Sequence, residues 1–255
     1  MKKPVIIVGI GEMGSVFARG FLKAGYSVIP VNRHDDLQLV SEQTPEPELV
    51  LIAVAEKELP AVLDQLPASW IQQIVLLQNE LLPDDWRQKG LQNPTVISVW
   101  FEKKPGMDFK VLIPSPVNGS KAQVIQQALG TLNIPVQIIN SASDMLFELV
   151  RKNMYILTTN ICGLQTGGNV HQLWQDNSIL MNRVFDDVLL IQEHLSAESF
   201  DRDHLLNAVL SAFEGDPLHQ CMGRSAPARL QRALEVAQLA GLETPALQNL
   251  AASLN

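Results

Sequence analysis

The spacing of hydrophobic positions changes partway along this chain. In the first half, short apolar runs alternate with amphipathic stretches. Pro4-Val5-Ile6-Ile7-Val8 is rich in β-branched residues and predicts a strand buried on both faces. From Glu12 to Lys23 the apolar residues Met13, Val16, Phe17, Phe21 and Leu22 recur at helical spacing, and Gly25 supplies a stop. Ser27–Val31 reads as a second strand, followed by Leu49–Val54, Ile74–Leu77 and Thr95–Phe101. Phe109–Ile113 is expected to pair beside the last of these, because Pro105-Gly106 is a turn signal. Leu59–Leu66 and Lys121–Leu132 read as helices, and Val136–Ile139 as a closing strand. Alternating strands and helices predict an α/β fold, a Rossmann-type doubly wound sheet with right-handed crossovers.

From Ser143 onward the strand pattern ends. Ser141-Ala142-Ser143-Asp144 has capping-box character. A long helix follows through Leu146, Leu149, Val150, Met154, Leu157 and Ile161. Further helices are predicted at Ile179–Leu195, Leu205–Phe213 and Ala228–Ala240. Gly241 ends the last of these, and Thr244-Pro245 opens another. The pattern therefore predicts two domains: an α/β domain over residues 1–142 and an all-α domain over 143–255.

Composition narrows what this chain can be. Apolar content of 46% with 18% charged residues fits a globular protein with a sizeable core. The net charge of -8 argues against nucleic acid as a partner, while allowing a local basic pocket for a phosphate. The apolar run after Met1-Lys2-Lys3 ends at Gly9, too early for a secretory leader. No stretch approaches the roughly 18 apolar residues of a membrane span. Cys162 and Cys221 suit neither a metal motif nor a disulfide framework, and read as small buried hydrophobes. The histidines, among them His171 after Gly167-Gly168-Asn169, show no metal spacing. The expectation is a soluble, reduced, cytoplasmic protein without a metal site or a membrane partner.

The candidate chemistry begins at Gly9-Ile10-Gly11-Glu12-Met13-Gly14, a G-x-G-x-x-G between a predicted strand and a predicted helix. That context turns a weak spacing into a dinucleotide fingerprint. Gly9 permits the tight turn, Gly11 lets a pyrophosphate approach the backbone, and Gly14 lets helix and strand pack closely. The helix N-terminus offers the N–H groups of Glu12 and its neighbours, and a positive dipole end. The next strand ends Val31-Asn32-Arg33, without the acid that usually bonds the ribose hydroxyls of NAD. Arg33 can pair with a 2′-phosphate and Asn32 can donate without repelling it, which favours NADP(H) over NAD(H). Asp35 and Asp36 follow closely, and the competing reading of Arg33 is an exposed loop charge.

These features resemble the ketopantoate reductase (2-dehydropantoate 2-reductase) family over nearly the whole chain. The resemblance rests on GIGEMG, VNR, IVLLQNE, DMLFELVRKNMYILTTN and LAGLETPALQNLAASL. It implies an N-terminal NADP-binding domain and a helical substrate and dimerisation domain, with a role in pantothenate biosynthesis. It implies hydride transfer to a small 2-oxo acid or related carbonyl, and leaves a homodimer open. By the same resemblance Asn79 lies near the nicotinamide, Lys152 is the general acid, and Asn160 helps hold the substrate. Read by itself, Lys152 sits in an otherwise apolar helix, about 12 Å along one face from Asn160. Partial desolvation there would lower its pKa and suit proton delivery. The competing reading is an ion-paired or snorkelling surface lysine.

The chain also departs from that family. Ile156 stands where a second Asn is usual, and Ala55-Glu56-Lys57 follows Val54 where a Lys is usual. The stretch Cys221-Met222-Gly223-Arg224-Ser225 offers no Glu to match the family's substrate contact. Arg224 and Arg229 could meet an anionic substrate or stand as exposed helix-start charges. A non-catalytic NADP(H)-binding protein on the same scaffold is the alternative function. A β-hydroxyacid-type dehydrogenase, which shares the glycine opening, is a more distant one.

Overall fold

The computed structural model describes residues 2–254. The chain divides into two compact units, one up to Leu149 and one from Val150 on.

The first unit is built on a seven-stranded sheet. Its elements are β1 (Val5–Val8), α1 (Glu12–Lys23), β2 (Val28–Val31), α2 (Leu37–Gln43), β3 (Leu49–Ile52), α3 (Leu59–Leu63), β4 (Ile74–Leu76) and α4 (Pro83–Arg87). They continue with β5 (Thr95–Ile97), β6 (Phe101–Glu102), β7 (Lys110–Val111), β8 (Ser115–Asn118), α5 (Ala122–Gly130) and β9 (Val136–Ile138). The strand order is β2-β1-β3-β4-β5-β8-β9. Strands β1 to β5 are parallel, β8 runs antiparallel to β5, and β9 runs parallel to β8. The chain reverses its direction of travel across the sheet at β1, whose neighbours are β2 and β3. Such a switch point leaves a crevice beyond the strand ends, where ligands bind in open α/β sheets.

Burial explains the strand sequences. All four residues of β1 and of β3 are buried, which is why they read as continuous apolar runs. Helix α1 buries Val16, Phe17 and Phe21 against the sheet core. At Gly20 it meets α5 so closely that an added Cβ would lie 2.8 Å from the carbonyl oxygen of Ala128.

The predicted strand Thr95–Phe101 is interrupted. Strand β5 ends at Ile97, and Phe101–Glu102 pairs separately with Lys110–Val111 as a two-stranded ribbon. Strand β8 was not legible in the sequence, since Ser115-Pro116-Val117-Asn118 shows no apolar alternation. Pro116 cannot donate to the ladder, but its carbonyl accepts from Ser98 N at 2.9 Å. Helix α2 was also missed. Asp36 caps it, its carboxylate accepting from Gln38 N (2.8 Å) and Leu39 N (3.3 Å).

Helix α6 spans Ala142–Thr166, and Asp144 N donates to Ser141 Oγ at its start. The compact units part inside this helix, later than the predicted division at residue 142. Its first turns belong with the sheet unit: Met145 and Leu149 are buried, and Ser98 Oγ donates to the Glu148 carbonyl.

The second unit continues α6 and adds α7 (Val170–Asp176), α8 (Ser178–Ser196), α9 (Arg202–Gly215), α10 (Ala226–Ala240) and α11 (Pro245–Ser253). Helix α8 buries Met181, Val184, Phe185 and Val188. Gly241 ends α10 in the left-handed conformation, as its position suggested. Helix α7 is absent from the predicted elements, although Asn169 and Gln172 form a capping box at its start. Thr244 precedes α11, but its buried hydroxyl has no partner among the described residues, and Asp187 of α8 accepts from Leu247 N instead. Among the described residues, no helix is long and apolar enough to cross a membrane.

Candidate functional site

In the first unit the site grows from the end of β1. Gly9 has φ +93, and its N–H donates to the Val31 carbonyl of β2. A Cβ there would lie 2.9 Å from the Ala53 carbonyl oxygen, so both backbone angle and space require glycine. A Cβ on Gly14 would come within 2.1 Å of the Gly9 carbonyl oxygen. Gly11 differs, because an added Cβ would meet no atom of the described residues within 4 Å. It faces open space at the N-cap of α1, where no side chain caps the first turn. The backbone N–H groups of Glu12, Met13 and Gly14 begin that turn, and the Met13 side chain packs against the core.

A cleft of about 560 Å³ opens beside this turn, lined among others by Gly9, Gly11, Asn32, Arg33, Lys57 and Glu58. The structure thus brings the fingerprint and the end of β2 to one place. Asn32 N and Nδ2 both donate to Asp35 Oδ2, at 2.6 and 3.2 Å. Asp35 is thereby turned back on the strand end. The Arg33 side chain is 77% exposed and pairs with Glu58. The charges here are mixed, Arg33 and Lys57 standing against Asp35 and Glu58.

Beyond β4, Gln78 Nε2 donates to the Ile52 and Val54 carbonyls, tying the ends of β4 and β3 together. Asn79 is half-buried, and its Nδ2 donates to Glu56 Oε1 at 3.1 Å. Glu80 takes the left-handed conformation, φ +60, a conformation that favours glycine. Glu56 and Glu58 lie in one short turn and hold Asn79 and Arg33 respectively, a link that no motif announced. Lys103, also unannounced, forms an ion pair with Glu12 at 2.9 Å.

Lys152 and Asn160 lie on the part of α6 that belongs to the second unit. Lys152 is half-buried, with Nζ 5.9 Å from the Tyr155 ring centroid. One turn on, Ile156 is buried. Asn160 is buried too, accepting from Arg229 Nη1 at 2.7 Å and donating to the Cys221 carbonyl at 3.0 Å. Arg229 is therefore not an exposed helix-start charge; it is 8% exposed on α10, whereas Arg224 is exposed. His171 is exposed on α7. Cys162 and Cys221 are both buried. Burial pushes both thiols up, Cys221 to about 11, which makes them poor nucleophiles.

Parallel strands whose order across the sheet reverses at β1, a glycine turn into α1 and a helical second unit define a Rossmann-type fold joined to an all-α unit. Solved structures share this fold along the whole chain. A 2-dehydropantoate 2-reductase from Methylococcus capsulatus is 12% identical, with a TM-score of 0.70 and coverage of 98% of this chain and 95% of that one. D-mandelate dehydrogenase in complex with NADH is 14% identical, with a TM-score of 0.69 and coverage of 98% and 96%. A dimeric ketopantoate reductase from Staphylococcus aureus is 16% identical, with a TM-score of 0.67 and coverage of 98% and 97%. No family model and no curated protein sequence matches the chain.

Proposed function

We propose that this chain is an NADP(H)-dependent reductase of small 2-oxo acids, divergent from the ketopantoate reductases whose fold it shares. The observation that carries this reading is the glycine turn at the β1 switch point. It leaves space at Gly11 where Gly9 and Gly14 leave none, which suits a pyrophosphate lying against backbone N–H groups. Gly9, Gly11, Gly14 and the backbone of Glu12 and Met13 would hold the pyrophosphate. Asn32 and Arg33 would hold the 2′-phosphate, and Asn79 the nicotinamide end. A reduced nicotinamide cofactor held there would supply a hydride for the ketone carbon.

The remaining chemistry falls to the chain's own residues. The ketone oxygen gains negative charge as its carbon is reduced and requires a proton. Lys152 polarises that oxygen and then donates the proton. Asn160 helps hold the substrate, its orientation set by Arg229 and the Cys221 carbonyl. A homodimer is part of the proposal, the second unit supplying the interface. A non-catalytic NADP(H)-binding protein is the second reading, favoured by buried Ile156 and by the bonds that already engage the Asn160 amide.

The test follows NADPH oxidation with a panel of 2-oxo acids, comparing wild type with Lys152→Ala. Turnover with at least one acid is expected, with kcat falling about 10²- to 10⁴-fold in the variant while NADPH affinity holds. NADPH binding without turnover of any acid would favour the second reading.

A further inference from the structure

The fingerprint carries an acid, Glu12, in the turn where two phosphates are proposed to sit. Glu12 is the first residue of α1, directly after Gly11. A carboxylate there suits the helix dipole but repels a pyrophosphate. Its partner is Lys103, whose Nζ lies 2.9 Å from Glu12 Oε2 and donates to the Lys104 carbonyl at 2.9 Å. The Lys103 side chain is only 16% exposed, against 45% for Glu12. It is an ordered cation rather than a solvated surface lysine.

Its backbone is held in place as well. Lys103 follows β6, on the stretch that leaves the C-terminal edge of the sheet after β5. Phe101 of the same ribbon packs on Phe17 of α1, with ring centroids 6.0 Å apart. Arg19 of α1 pairs with Asp108 at 3.1 Å and stacks over Phe109. The β6–β7 ribbon is thus fixed to the helix whose N-terminus forms the cradle. An ammonium group has three N–H donors, and Glu12 and the Lys104 carbonyl take two.

We propose that Lys103 is a further cofactor-binding residue. Its ammonium neutralises Glu12 and offers its third donor to the dinucleotide pyrophosphate. Because NADPH and NADH share that group, Lys103 acts on both alike, unlike Arg33. The inference rests on the cofactor reading above.

The test measures NADPH and NADH dissociation constants, by calorimetric titration at low and high salt. It uses wild type, Lys103→Ala, Lys103→Arg, Glu12→Gln and the Glu12→Gln/Lys103→Ala double variant. Lys103→Ala is expected to weaken both cofactors about tenfold at low salt, and less at high salt. Lys103→Arg should retain most of the affinity. The double variant should recover a large part of the loss, because the unpaired acid is gone. Lys103→Ala within twofold of wild type, loss for one cofactor only, or no recovery in the double variant would each overturn the role of Lys103. If wild type binds neither dinucleotide, the cofactor reading falls, and this one with it.

Discussion

The glycine turn of the first unit and the polar face of α6 in the second make opposite demands on sequence. The turn works through what is missing. Gly9 and Gly14 have no room for a Cβ, and Gly11 has room that a ligand can use. Its geometry is set by backbone over a few adjacent residues. The α6 face works through side chains, and one of them, Asn160, is held by Arg229, 69 positions away. A site made of backbone tolerates few substitutions and survives divergence in readable form. A site made of side chains can be rebuilt from distant parts of the chain. On the proposed reading, this contrast accounts for a glycine turn that matches the dinucleotide fingerprint beside an α6 face that lacks the second Asn expected near a substrate.

The sharpest way to break this contrast is to add one methyl group at two of the glycines. Gly14→Ala forces a backbone shift, since its Cβ would stand 2.1 Å from the Gly9 carbonyl oxygen. It should cost the first unit about 4 kcal/mol or more, read by denaturant unfolding. Gly11→Ala should cost no more than about 1 kcal/mol, as a poorer N-cap, yet weaken NADPH binding by at least about tenfold, through close approach to the pyrophosphate. Equal stability losses for both would erase the distinction drawn between them.

On the α6 side, Asn160→Ala strips a partner from a buried guanidinium and from the Cys221 carbonyl. A loss of about 1–3 kcal/mol is expected on denaturant unfolding. A change below about 0.5 kcal/mol, the usual range for surface substitutions, would show that these bonds do not support the second unit. At the end of β2, Arg33→Ala should weaken NADPH severalfold and leave NADH nearly unchanged, as loss of an ion pair to a solvent-exposed side chain implies. Equal loss for both would remove the 2′-phosphate role. The smallest effect is expected at Ala197, an exposed left-handed C-cap with φ +55. Ala197→Gly should raise stability by about 1 kcal/mol without altering cofactor binding.

Local rules made much of the fold legible. Helix α1 was delimited by its apolar spacing and Gly25, and β1 and β3 by unbroken apolar runs, because burial on both faces leaves no polar position. Strand β8 escaped because its pairing with β5 is tertiary, and Pro116 reads as a strand breaker. Helix α7 escaped because it is short, although Asn169 and Gln172 carried its capping signal. The cap of α11 comes from Asp187 on another helix, which the adjacent Thr244-Pro245 cannot reveal. The same limit governs the site. The glycine spacing is local and was readable. The burial of Arg229 and the pairs Lys103–Glu12, Glu58–Arg33 and Glu56–Asn79 join residues far apart in the chain and leave no spacing to detect.

The central claim is that the β1 turn holds a dinucleotide carrying a 2′-phosphate. Calorimetric titration of the wild-type chain with NADPH and with NADH tests it most directly. One site per chain, with NADPH bound more tightly than NADH, is the predicted result; no binding of either dinucleotide, or NADH bound at least as tightly as NADPH, would contradict it.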